Sequence, residues 1–133
     1  MIEKLIELQN NSYAKYSNYR VSAIVVTKDN KEFNGVNVEN ASYGACICAE
    51  RVAITSMVAN GYTKGDIKEI NLMVSSGDIG TPCFLCRQTI SELCDKDAII
   101  NCYSTKGEKK TYTVKELCPY PFSEEDLKWS QDL

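Results

Sequence analysis

Three thiols and one carboxylate constrain this chain more than anything else in it. Cys48-Ala49-Glu50-Arg51 and Pro82-Cys83-Phe84-Leu85-Cys86-Arg87-Gln88 are well separated in sequence. Cys83 and Cys86 stand three positions apart after a proline, a third thiol lies upstream, and a carboxylate follows that thiol by two residues. Such a set can hold a zinc ion by three sulfurs, leave its fourth position for water, and place an acid/base group beside that water. The fold must therefore bring two distant segments to one ion.

Seven cysteines and no histidine sharpen the point. Without histidine the commonest general base and the commonest zinc ligand are both missing, so a metal site must be built from thiolates and carboxylates. The cysteine count is odd, and the acidic start Met1-Ile2-Glu3-Lys4-Leu5-Ile6-Glu7 does not read as a secretion signal. Reduced thiols and a cytoplasmic location are expected. No run is long enough to cross a bilayer.

At 133 residues, the chain suits one domain spanning 1–133, burying roughly two-thirds of its unfolded surface. The net charge of -3 argues against a nucleic acid polymer, which normally needs a basic face. A small neutral ligand fits better.

Along the chain, residues 2–15 read as an amphipathic helix with Ile2, Leu5, Ile6 and Leu8 on one face. Val21 to Thr27 and Phe33 to Val38 read as a hairpin around Lys28-Asp29-Asn30-Lys31, and residues 37–44 as a loop at the sheet's edge. Cys46 to Asn60 is helical in pattern, with Gly61 as its stop. Ile67 to Ser75 is strand-like, and Pro82 suits the first turn of a helix that runs to about Cys94. Ala98 to Tyr103 and Lys110 to Val114 are strands about a turn at Lys106-Gly107-Glu108. Pro119-Tyr120-Pro121-Phe122 is irregular, and Ser123-Glu124-Glu125 caps a final short helix. Alternating helices and strands imply an α/β domain with a central sheet covered on its faces.

Both thiol clusters fall at expected helix starts, where unpaired N–H groups favour the thiolate by about 0.3–1 kcal/mol each. Three thiolates on Zn²⁺ leave a net -1, which Arg51 partly offsets. The bound water is then less acidic than one held by neutral imidazoles, and Glu50 supplies the base it needs. A structural zinc site is the main alternative, with Cys46 as fourth ligand. It is disfavoured because helical neighbours two apart face nearly opposite sides. A redox dithiol at Cys83 and Cys86 leaves Cys48 and Glu50 unexplained. Cys94, Cys102 and Cys118 read as small core residues.

These motifs, with Asn37-Val38-Glu39-Asn40-Ala41-Ser42-Tyr43 and the tail through Phe122, resemble the cytidine deaminase family, in its short homotetrameric form with three cysteines on zinc. The resemblance implies a three-layer α/β/α sandwich about a mixed five-stranded sheet. It implies one zinc ion per subunit on Cys48, Cys83 and Cys86, Glu50 as proton shuttle, and Arg51 bonded to the ligand thiolates. It places Asn37 and Glu39 on a ribose hydroxyl, Tyr19 and Ala49 near the base, and Phe122, Ala41 and Tyr43 across a subunit boundary. Three departures stand out: Ser22 and Phe84 where the family has glycine, and Tyr19 where it has phenylalanine. Phe84 is expected to reshape the mouth of the site if its position needs positive φ.

Hydrolysis of cytidine and 2′-deoxycytidine is thus the leading reading. The alternatives are deamination of another aminated heterocycle, such as a blasticidin-type antibiotic or modified cytosine nucleoside, and a non-catalytic zinc-stabilised scaffold.

Overall fold

A computed structural model describes residues 1–131. Its centre is β1 (Val21–Thr27), a strand buried along nearly its whole length. Ala23 and Val25 face one core while Ile24 and Val26 face another. This period-2 alternation of apolar residues on both faces needs a layer on each side of the strand. β1 pairs antiparallel with β2 (Glu32–Val36) and with β3 (Ile67–Val74). β3 runs parallel to β4 (Ile99–Tyr103), which pairs antiparallel with β5 (Lys109–Thr113). The result is a mixed five-stranded sheet of order β2-β1-β3-β4-β5.

Helices α2 (Ala49–Ala59), α3 (Phe84–Leu93) and α4 (Val114–Leu117) pack on the face that carries Ala23, Val25, Ile70, Leu72 and Ile100. Helix α1 (Ile2–Gln9) covers Ile24, Val26, Met73 and Tyr103 on the other. The expected three-layer sandwich is therefore present. The parallel β3–β4 pair requires a crossover, and the segment that makes it contains Pro82 and α3. It carries the second thiol cluster from the end of β3 onto the α2 face.

Gly35 on β2 fixes how closely α2 approaches. A β-carbon there would stand 2.2 Å from the Ala49 carbonyl oxygen and 2.6 Å from Ala53 N. Only glycine lets strand and helix backbones meet so tightly.

Several boundaries differ from expectation. The first helix ends at Gln9, not near residue 15. Asn10-Asn11-Ser12 turns out of it, and Tyr13 then bridges Val38. Gln9 is buried because its amide donates to the Met73 carbonyl at 3.0 Å, whereas Ile6 is exposed. The second helix starts at Ala49, not Cys46, since Ile47 is drawn into an antiparallel bridge with Val38. Helix α3 starts at Phe84 with Cys83 as N-cap, so Pro82 lies just before the cap. Helix α4 was not expected, although Thr113-x-x-Glu116 makes a complete capping box. The last segment, Glu124–Gln131, is 3-10 rather than α-helical.

Candidate active site

Cys48 is the N-cap of α2, Cys83 the N-cap of α3, and Cys86 lies in the first turn of α3. Two helix N-termini thus converge, and their free N–H groups favour negative charge between them. The three Sγ atoms all lie within 4.8 Å of one another, with Cys48 and Cys83 at 3.6 Å. Tetrahedral zinc with Zn–S bonds of about 2.3 Å sets sulfur pairs about 3.8 Å apart. The donor set therefore fits zinc in both chemistry and spacing.

Electrostatics agree. The Cys48 thiol is pulled down to about 5, chiefly by hydrogen bonding from Cys86 and then from Arg51. The Arg51 guanidinium donates to Cys48 Sγ at 3.7 Å. Cys86 is raised by the same bond, as the member that keeps its proton when Cys48 gives one up.

Glu50, one residue into α2, is 4% exposed. Burial pushes its carboxyl up to about 7, and the nearby Cys48 charge adds to this. A group poised there gives and takes protons equally well at neutral pH.

These groups open into a cavity of about 610 Å³ whose walls include Tyr19, Asn37, Glu39 and Glu50. Asn37 is held rigidly. Its Oδ1 accepts from Val21 N at 2.9 Å and from the Ser12 hydroxyl, and its Nδ2 donates to the Tyr19 carbonyl at 2.8 Å. One amide N–H remains free. Glu39 accepts from Tyr16 N at 3.0 Å, Ser17 N at 3.1 Å and the Ser17 hydroxyl. These bonds hold its carboxyl below the usual range, led by the Ser17 hydroxyl.

Residues 1–102 match the family described as "Cytidine and deoxycytidylate deaminase zinc-binding region". The chain belongs to that family. It is 34% identical over 127 residues to a cytidine deaminase of Halalkalibacterium halodurans, covering 96% of this chain and 95% of the relative. It is 31% identical to one from Sporosarcina psychrophila, covering 98% of each. The crystal structure of cytidine deaminase from Burkholderia pseudomallei superposes with a TM-score of 0.87 at 38% identity, covering 91% of this chain and 95% of that one.

In this deaminase-family chain the remaining site residues are placed as follows. Tyr19 lines the cavity, and burial, then Glu50 and Asp78, raise its phenol so that it stays protonated. Ala49 is fully buried and does not line the cavity. Tyr43 lines the cavity yet is 81% exposed, and Ala41 is exposed nearby. Phe122 does not reach this cavity. It lies beside Phe84 around a separate hollow, where Gln88 donates to its carbonyl at 2.8 Å.

Phe84 loses its expected consequence, and Ser22 lies away from the cavity. Phe84 is not among the positive-φ residues; its ring points outward under the Arg87 guanidinium at 4.5 Å. Ser22 faces α1, donating to the Leu5 carbonyl at 2.8 Å on the opposite side of the sheet. Cys46 is outside the metal trio, as expected, but for a different reason: it is extended chain before the helix. Of the other cysteines, Cys94 and Cys102 are buried and Cys118 is half-buried. Leu85 was missed as a cavity wall, although its place between two candidate ligand thiols was a usable signal. Ser12 and Ser17, which anchor Asn37 and Glu39, carried no local signal at all.

Proposed function

We propose that the protein hydrolyses cytidine and 2′-deoxycytidine to uridine and 2′-deoxyuridine, releasing ammonia. The observation that carries this is a buried carboxylate poised near neutrality beside three converging thiols in a nucleoside-sized cavity. When held by Cys48, Cys83 and Cys86, zinc supplies Lewis acidity that lowers the pKa of water. Arg51 keeps the ligand sulfurs anionic through its bond to Cys48. Glu50 takes a proton from the attacking water and delivers it to ring N3. As the C4–N bond breaks, Glu50 carries the second water proton to the departing amine, and C4=O forms.

Sugar recognition follows from unused hydrogen-bonding capacity. Asn37 has one N–H left and Glu39 one acceptor site, a matched pair for a ribose hydroxyl. A 5′-phosphate is disfavoured, because Arg51 is the cationic side chain of the described lining and is committed to thiols. Glu39 and Glu50 would repel the phosphate's charge. The free nucleoside is thus preferred over its nucleotide, and no polymer or membrane is engaged; no helix among the described residues is long and apolar enough to span one.

The working form is a homotetramer that shares its active sites. Tyr43, Phe84, Leu85 and Phe122 expose large apolar surface around this end of the molecule, and Phe122 is free to serve a neighbour's cavity with Ala41 and Tyr43. Seven free cysteines suit a reducing cytoplasm, where the reaction would recycle pyrimidine nucleosides. The test is ultraviolet-monitored turnover of cytidine. Glu50→Gln should lower kcat by roughly 10³-fold with zinc retained; wild-type zinc protein inert toward cytidine would overturn the reading. Sedimentation as a monomer would remove the role of Phe122.

A further inference from the structure

The loop between Asn37 and Cys48 borders the cavity, and its base is pinned by a group with no part in the proposed chemistry. Val38 and Ile47 exchange both backbone hydrogen bonds at 3.0 Å. In an antiparallel ladder the next bonded pair outward would be Asn40 with Ala45. That pair does not form, because the Ala45 N–H donates to Ser42 O at 2.9 Å within the tight turn. The Asn40 backbone turns to a side chain instead. Its N–H donates to Cys46 Sγ at 3.3 Å, and the Cys46 thiol in turn lies 3.7 Å from the Asn40 carbonyl it donates to. The Asn40 side chain braces the same loop, accepting from Ser42 N at 2.9 Å. Cys46 also lines the cavity.

We propose that Cys46 is a positioning residue: its thiol clasps the Asn40 backbone and so holds Glu39 at a set distance from the Cys48–Glu50 turn. This rests on the reading that Glu39 binds the sugar and Glu50 works on the base. Glu39 directly precedes Asn40, and Cys46 is tied to Cys48 through Ile47, itself bridged to Val38. The thiol replaces a ladder bond that the turn is too tight to make. It joins the sugar-binding strand to the metal-binding helix at the point where the two part. A side chain that neither donates nor accepts leaves the Asn40 N–H unpaired and lets Glu39 drift. A sugar contact is made alike in the bound and transition states, so its loss raises KM and spares kcat.

The experiment compares wild type, Cys46→Val and Cys46→Ser as zinc-loaded full-length protein. Cys46→Val should raise KM for cytidine by about tenfold with kcat within about twofold, and weaken uridine binding in parallel. Its zinc content should stay at the wild-type level, and its Asn40 amide should exchange faster. Cys46→Ser should recover most of the affinity, since a hydroxyl also both donates and accepts. Unchanged KM and uridine affinity in Cys46→Val would refute the proposal, as would a joint fall of kcat and zinc content. If the wild type turns over no cytidine, the functional reading fails by itself. The Asn40 amide then decides the clasp, and unaltered protection in Cys46→Val refutes it.

Discussion

Gly35→Ala tests whether the site depends on one close approach of strand and helix. The added carbon would meet the Ala49 carbonyl oxygen at 2.2 Å, Ala53 N at 2.6 Å and Ala53 Cβ at 3.0 Å. Non-bonded heavy atoms settle near 3.5 Å, so β2 and α2 must part by on the order of 1 Å. Two of the three contacts are backbone atoms, which no rotamer change relieves. Overpacking of this kind costs typically about 1–3 kcal/mol. For a chain of this size that lowers Tm by roughly 3–10 °C. Ala49 lies between Cys48 and Glu50, so the displacement also moves the proposed ligand and the proposed proton shuttle against α3. A misplacement of about 1 Å costs on the order of 10²-fold in rate. Thermal denaturation and cytidine turnover, run on zinc-loaded protein, measure the two effects together. Adding Ala53→Gly should not rescue either, because it removes only the softest contact. Wild-type Tm and kcat in Gly35→Ala would refute the argument that this approach positions the site.

The remaining expectations are more local. In zinc-stripped protein, iodoacetamide at about pH 6 should label Cys48 well ahead of Cys86, because Cys48 is a thiolate above about 5 while Cys86 holds its proton; mass spectrometry reads the order, and zinc should abolish labelling of all three. Ser22→Ala removes the bond to Leu5 and should lower Tm by roughly 3–5 °C. KM for cytidine should not change, since that hydroxyl is on the far face of the sheet. Thr113→Ala breaks the α4 capping box and should lower Tm near neutral pH. Glu116 is depressed first by the Thr113 N–H, which the variant keeps, and then by the Thr113 hydroxyl, which it loses; the hydroxyl's share of the stabilisation exists above the unfolded carboxyl pKa and fades as pH falls through the folded one. The Tm gap between variant and wild type should therefore narrow at about pH 3.

Much of the fold was legible because single strands and caps announce themselves. Val21 to Thr27 reads as a strand from its β-branched run, and Gly61 stops α2 at φ +95. Boundaries failed where tertiary pairing overrode local pattern. Ile47 continues a helical periodicity, yet its backbone is claimed by Val38, so α2 begins two residues later. Ile6 fits the apolar stripe of α1, but the sheet beneath offers room for Leu5 and for Gln9, whose amide finds the Met73 carbonyl. For Phe84, the resemblance to a family with glycine at that position raised a conflict with backbone conformation that the N-terminus of α3 does not contain.

Residue types and spacing alone determined which chemistry to propose: which thiols could gather, which acid stands two residues from one of them, and that no imidazole could substitute. Such identities are local, since a sulfur donor or a carboxyl keeps its reactivity wherever the backbone takes it. What only the tertiary structure decided is environment and register. Burial tunes Glu50 to near neutrality, Ser12, Tyr19 and Val21 use up all but one N–H of the Asn37 amide, Tyr16 and Ser17 all but one acceptor site of Glu39, and Cys46 bonds the Asn40 backbone outside the thiol trio. Those properties arise from contacts between segments distant along the chain, which no window of sequence contains.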